Sequence, residues 1–241
     1  MIDLFKKKED IFAIICIVIY VVGYSICDSV SESIGVPKLI TLIFGIVLSA
    51  VLFGFAKKND LMEYLGLCRV EKSGKELLWF IPVIIFTTTN LWTGVALNDT
   101  ILVTVLSILS MFCVGFLEEL IFRGLLFKAM SKTNMTSAII VSSLTFGFGH
   151  IVNLLNGAEF FSTMIQIVYA STIGFCFVMI FCVGKSIVPC IISHALFNSF
   201  SIIRGERSEV AGIVILLVLI FLSAAYGVYL FRIFRRETKQ A

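Results

Sequence analysis

Residues 101–127 read ILVTVLSILSMFCVGFLEELIFRGLLF, and the only charges in these 27 residues are Glu118, Glu119 and Arg123. Coiled as a helix at 1.5 Å per residue, the stretch is about 40 Å long, enough to cross a hydrocarbon core of roughly 30 Å. Its first 17 residues carry no charge at all. Such a segment is at home in lipid. A helix is the expected form there, because lipid offers no partner to an unpaired backbone N–H or C=O.

Working outward, similar apolar runs occupy 11–27, 39–56, 77–97, 137–155, 160–183, 187–203 and 210–231. The chain of 241 residues is 59% hydrophobic and 15% charged, against about half and a quarter for a soluble domain. The expected fold class is therefore all-α, a polytopic membrane protein of about eight transmembrane helices. An even number places both termini on one side. With the termini cytoplasmic, fifteen Lys and Arg fall inside, among them Lys6, Lys57, Arg69, Lys72, Lys75, Lys132 and Lys185, against Lys38, Arg204 and Arg207 outside. No small-residue cleavage site follows the first span, which is expected to be retained as a helix.

The net charge of +3 is accounted for by these flanks and gives no reason to expect nucleic acid. The basic ends suit the anionic headgroups of a bilayer, so a multi-pass protein of a cell membrane is expected. Seven cysteines lie singly, without a C-x-x-C pair, and read as packing residues. Three segments are expected: helices one to three in 1–100, a central unit in 101–203, and a last helix with a basic tail in 204–241. Chemistry must then come from within the helices or their mouths.

Ionisable side chains in hydrocarbon cost roughly 2.5 to 3.5 kcal/mol each and usually face a cavity or a partner. Here they cluster. Span four carries Glu118, Glu119 and Arg123, span five His150, span seven His194 with Asn198, and the two histidines are the only ones in the chain. Residues four apart share a helix face, while adjacent ones diverge by about 100°. Glu119 and Arg123 are therefore expected to pair as a structural tie, leaving Glu118 to point elsewhere. His194 and Asn198 enter one cavity from one helix, and Phe146, four before His150, walls that histidine together with Phe122. Counting depth from the cytoplasmic ends, all four polar groups meet near mid-membrane, with access from the cytoplasmic half. Singly, each has a bland reading as interhelical glue; together they describe a polar cavity with acid and base groups.

These residues also match a known pattern. Glu118-Glu119-Leu-Ile-Phe-Arg123 resembles the E-E-x-x-x-R motif, Phe146-Gly-Phe-Gly-His150 the F-x-x-x-H motif and His194-Ala-Leu-Phe-Asn198 the H-x-x-x-N motif of the CAAX protease and bacteriocin-processing (CPBP, or Abi) family. The order is the family's, and the likeness covers roughly residues 101–200. The resemblance implies an intramembrane endopeptidase of the type II CAAX prenyl endopeptidase kind. It also implies a membrane-associated peptide or small membrane protein as substrate, and the size suggests the bacterial branch, whose members serve bacteriocin maturation, self-immunity or peptide signalling.

Peptide hydrolysis requires an activated water, an oxyanion stabiliser and a proton for the leaving amine. The resemblance assigns Glu118 as base with His150 orienting the water, and His194 with Asn198 as oxyanion donors. No cofactor is needed in that scheme. Its rival is a zinc site of Glu118, His150 and His194 with water as fourth ligand, since two histidines and a carboxylate also make a catalytic zinc set. Outside proteolysis, the same residues suit a non-catalytic membrane regulator or bacteriocin self-immunity protein. A proton-coupled transporter is the more distant alternative, because no related halves are evident.

Overall fold

The computed structural model describes residues 1–71 and 74–240, so Lys72, counted above among the cytoplasmic cations, lies outside the described residues. A short amphipathic α1 (Ile2–Lys7) leads into α2 (Glu9–Ser33) and α3 (Leu39–Lys58). After a loop come 3₁₀ turns over Gly74–Phe80, α4 (Ile81–Thr87) and another 3₁₀ turn, Thr89–Leu91. Helix α5 (Ile101–Glu119) continues through a π-helical stretch, Leu120–Phe127, into α6 (Lys128–Ser131). Then follow α7 (Met135–Phe148), a 3₁₀ turn Gly149–Ile151, α8 (Val152–Leu155), α9 (Phe160–Gly184), α10 (Val188–Ile202) and α11 (Glu209–Gln240).

Capping residues set several boundaries. Thr100 accepts a hydrogen bond from Val103 N, Asn134 from Ser137 N, and Glu159 from Phe161 N and Ser162 N, each satisfying donors that a helix start leaves unpaired. At the end of α9, Lys185 turns left-handed with φ of 56° and stops the helix.

Among the described residues, six helical stretches are long and apolar enough to cross a membrane: Glu9–Ser33, Leu39–Lys58, Ile101–Ser131, Met135–Leu155, Phe160–Gly184 and Glu209–Lys239. Their outward faces remain apolar, as in Ile14, Val18, Ile46, Val47, Leu217 and Phe221, which suits contact with lipid chains. The protein is an all-α, multi-pass membrane protein.

The expected third and seventh spans take another form. Residues 77–97 do not make one helix. Pro82 sits in the first turn of α4, and the polar run Thr87-Thr88-Thr89-Asn90 diverts its hydroxyls and amide to local and neighbouring carbonyls, which competes with helix continuation. Helix α10 has only 15 residues. The two short pieces lie side by side and are stitched together at both ends. At one end Ile187 N donates to Gly66 O at 2.9 Å and Glu71 N to Gly184 O at 3.1 Å. At the other, Ala96 N donates to Ile203 O at 2.9 Å, and Gly205 N to Gly94 O at 3.0 Å. Between them Asn90 Nδ2 donates to Phe197 O at 3.0 Å, and the hydroxyls of Thr87 and Ser193 are 2.5 Å apart. Irregular backbone at membrane depth is tolerable where protein, not lipid, supplies its partners.

Both ends of the chain lie on one face. Phe5 packs edge-on against Phe55 and Tyr64, Lys132 Nζ pairs with Glu9 at 2.7 Å, and Lys185 Nζ lies 5.9 Å from the Phe234 ring. A single apolar core joins the segments, running from Phe5 and Phe12 through Leu117 and Phe177 to Leu230 and Phe234.

Small residues decide how closely the helices approach. A methyl group on Gly115 would stand 2.7 Å from Ala195 N, so α5 and α10 touch backbone to backbone there. Gly115 precedes Glu118 by one turn, and Ala195 follows His194. By contrast, a methyl on Gly54 in α3 would meet nothing within 4 Å. Gly54→Ala should leave stability unchanged or raise it by up to about 1 kcal/mol through helix propensity. Gly115→Ala should lower it by about 1 to 3 kcal/mol through overpacking. Thermal melting of both variants in one detergent checks the opposite signs.

Candidate active site

Helix α5 delivers Glu118 and Glu119 in its last turn, just before the backbone widens into the π-helical stretch whose eight residues are all buried. Such widened turns are rare and recur at functional sites. Glu119 and Arg123 are both fully buried, with Arg123 Nη1 donating to Glu119 Oε1 at 3.1 Å. Arg123 Nη2 also donates to Gly174 O of α9 at 3.3 Å. The guanidinium lies 4.1 Å from the Phe146 ring centre and 5.6 Å from that of Phe177, a cation–π setting between α7 and α9.

His194 enters from α10 and touches both carboxylates. Its Nδ1 lies 2.9 Å from Glu119 Oε1, and its Nε2 lies 3.6 Å from Glu118 Oε2. The first distance is a hydrogen bond. The second is too long for one and leaves room for an oxygen between the two groups. The other oxygen of Glu118 accepts the Tyr20 hydroxyl of α2 at 2.5 Å. Rather than pointing away on its own, Glu118 is held by Tyr20 and faces His194, so two partners from other helices complete what helix geometry alone left open.

His150 sits in the 3₁₀ turn that ends α7, its ring edge-on to Phe146 at 6.0 Å between centroids. Phe146 also meets the His194 ring edge-on at 5.5 Å, and Phe122 packs against Phe146 at 5.5 Å. Both phenylalanines are therefore walls. Glu118, His150, His194 and Asn198 together line one cavity of about 380 Å³. Glu118, Phe146 and His150 also border a second cavity of about 170 Å³, lined beyond them by Tyr20, Tyr24, Asp28, Phe122 and Asn153.

The larger cavity runs from Glu118 past Gln166, Asn198 and Ser201 to Arg204, Arg207 and Gly212. Its mouth is thus at the α10–α11 loop, the end opposite the termini. Access from the cytoplasmic half was the sequence-based expectation. Its lining instead extends to Arg204, Arg207 and Gly212 at the other face, where α10 ends at Ile202.

Tyr20, Asn90, Gln166 and the two arginines were not among the sequence candidates. A tyrosine in an apolar span carries no warning of its own, and Arg204 and Arg207 had served only as markers of sidedness. The zinc alternative draws on the same Glu118, His150 and His194. Among the described residues no three His, Cys, Asp or Glu side chains gather as a metal-holding group. His194 Nδ1 and Glu118 Oε1 already have protein partners.

Residues 100–200 match the family model described as type II CAAX prenyl endopeptidase Rce1-like. Over that segment, under half of its length, the chain is similar to this family. The segment holds all three motifs and Glu118, His150, Gln166, Tyr169, His194 and Asn198 of the cavity lining, whereas Thr89, Asn90, Ser201, Arg204 and Arg207 lie outside it. No curated protein and no solved structure matches the chain.

The tie and the cavity base should separate by mutation. Replacing one partner of a buried ion pair leaves the other uncompensated, at about 3 to 5 kcal/mol. Glu119→Leu and Arg123→Leu should each lower the melting temperature in detergent, and the double replacement should cost less than their sum. Glu118→Gln retains an oxygen that accepts the Tyr20 hydroxyl and should melt close to the parent protein. Additive losses for Glu119 and Arg123 would deny a direct coupling.

Proposed function

We propose that this protein is an intramembrane endopeptidase that hydrolyses a peptide bond in a membrane-associated peptide or small membrane protein, using water activated by Glu118. The observation that carries this reading is the convergence of Glu118, His150, His194 and Asn198, from three separate helical segments, on one cavity. In this scheme the scissile carbonyl lies between His194 and Asn198. Glu118 takes a proton from a water that His150 orients, and the resulting hydroxide adds to the carbonyl carbon.

The tetrahedral oxyanion is then held by the His194 Nε2–H and the Asn198 amide. A buried Glu119 on Nδ1 suits that task, because it fixes the ring's orientation and leaves Nε2 facing Glu118 and the cavity. As the C–N bond breaks, Glu118 returns its proton to the leaving amine. Tyr20 holds Oε1 of the base so that Oε2 faces the water and His194. The scheme needs no metal. Both termini lie in the cytoplasm in this reading, and the physiological setting is a bacterial cytoplasmic membrane.

The test is cleavage of a hydrophobic peptide library by purified protein, read by mass spectrometry. Glu118→Gln and His194→Ala should abolish product formation without loss of folding. Asn198→Ala should lower turnover by about 10²- to 10³-fold, the loss of one oxyanion donor. Tyr20→Phe should lower it by about ten- to a hundredfold, since one hydrogen bond to a charged group is lost. Normal turnover by Glu118→Gln would refute the general-base role, and absence of any product from the parent protein would favour a non-catalytic binder.

A further inference from the structure

We propose that Arg204 and Arg207 form a carboxylate-binding subsite at the mouth of the catalytic cavity, selecting peptides that carry a carboxylate about four residues from the bond cut. This rests on the proteolytic reading of the same cavity. Both arginines line it together with Glu118, His194 and Asn198. Arg204 is half-buried and Arg207 exposed, so the pair grades from cavity to solvent.

Three observations make the pair a site and not a solvated flank. The first is charge. Of the three cations the chain places at this end, Lys38 is neutralised by Asp28 at 2.6 Å. No ion pair involves Arg204 or Arg207 among the described residues, although Glu206 and Glu209 are close in sequence. The second is rigidity. Arg204 forms an isolated antiparallel bridge with Val95, its carbonyl accepts Asn98 Nδ2 at 3.0 Å, and the next residue, Gly205, is bonded to Gly94 O. A side chain at Gly205 would collide with Thr93 O, so the backbone that presents Arg204 is pinned against the end of the broken segment.

The third is mutual repulsion. Partial burial and the Arg204 charge both hold Arg207 below the usual arginine range. An anion between the two guanidiniums relieves that repulsion and accepts forked hydrogen bonds from each. Neutral lining from Gln166 and Tyr169 adds no competing negative charge.

The spacing follows from geometry. From His194 to the end of α10 at Ile202 is about 12 Å along the helix axis at 1.5 Å per residue, and Arg204 follows two residues later. An extended peptide covers about 3.3 Å per residue, so its carboxylate stands about four residues from the carbonyl between His194 and Asn198. The carboxylate is either an acidic side chain or a free C-terminus.

The experiment uses fluorescent Leu/Ala/Ser decapeptides in which a single Glu, or Gln as its neutral match, is moved from position to position. Each is made with a free and with an amidated C-terminus. Binding is read by anisotropy on the Glu118→Gln protein, where no cleavage intervenes, and products from the parent protein are read by mass spectrometry. Carboxylate peptides should bind at least about tenfold more tightly than neutral ones, the order expected for a charge-assisted pair. The preference should vanish in Arg204→Gln/Arg207→Gln and persist in part in Arg204→Lys/Arg207→Lys. Preference for internal Glu in amidated peptides identifies a side-chain carboxylate; preference for the free end of Gln peptides identifies the C-terminus. Binding with this preference but without cleavage would uphold the subsite and defeat the protease reading. Cleavage without carboxylate preference, preference that survives the double Gln replacement, or no binding of carboxylate peptides would overturn the subsite.

Discussion

The arrangement depends on one oxygen atom, Glu119 Oε1, which serves Arg123 Nη1 and His194 Nδ1 at once. Arg123 in turn reaches Gly174 O on α9 and lies over Phe146 on α7. Four helical segments are thereby referred to a single buried charge pair. Burying such a pair is expensive, and an ion pair of this kind is weak evidence of stability gained over an apolar core. Its value lies in register, because a buried carboxylate and guanidinium are satisfied in few relative positions of the helices that carry them. Even here the satisfaction is incomplete: Glu119 Oε2 and Arg123 Nε have no hydrogen-bond partner. A core assembled for stability alone would not leave two such atoms orphaned, and positioning of His194 is the compensating gain.

The same pair explains why adjacent carboxylates behave differently. Glu119 is sealed in the core, whereas Glu118, one residue earlier, reaches both cavities and is held by Tyr20. Adjacent helical residues diverge by about 100°, enough to send one side chain into the packed interior and the other to the cavity wall. Close approach at Gly115 and Ala195 then brings the cavity face of α5 against that of α10. A larger residue at either position would widen the gap across which Glu118 and His194 face each other.

Much of this could be read from the chain itself. Charges inside apolar spans are conspicuous, so Glu118, Glu119, Arg123, His150 and His194 stood out, and the four-residue spacing correctly paired Glu119 with Arg123 and set Phe146 beside His150. What escaped was contact between distant segments. Tyr20 is separated from Glu118 by 98 residues, and no periodicity connects them. The third apolar run was taken as a full helix because hydropathy averages over a window. Pro82 and the Thr87–Asn90 run disrupt a helix through local hydrogen bonding, to which such an average is blind. Depth counted along single helices placed the polar groups at mid-membrane but carried no information on where a cavity lined by several helices reaches the surface.

The broken segment also bears on how a peptide could lie within the bundle. An extended substrate brings backbone N–H and C=O groups into a region without bulk water, and each costs several kcal/mol if left unpaired. The four side chains of the proposed site cannot satisfy them. The cavity, however, is lined by Thr89, Asn90, Gln166, Ser201 and the irregular turns beside α10, groups that have no part in the chemistry. A regular helix in place of residues 81–91 would have bonded its own polar groups internally and turned an apolar face to the cavity. By giving up helix continuity there, the chain places backbone and side-chain hydrogen-bonding groups where an extended peptide needs them. For the proposed peptidase, the departure from regular helix is therefore what lets a membrane-embedded carboxylate and histidine share their cavity with a peptide bond.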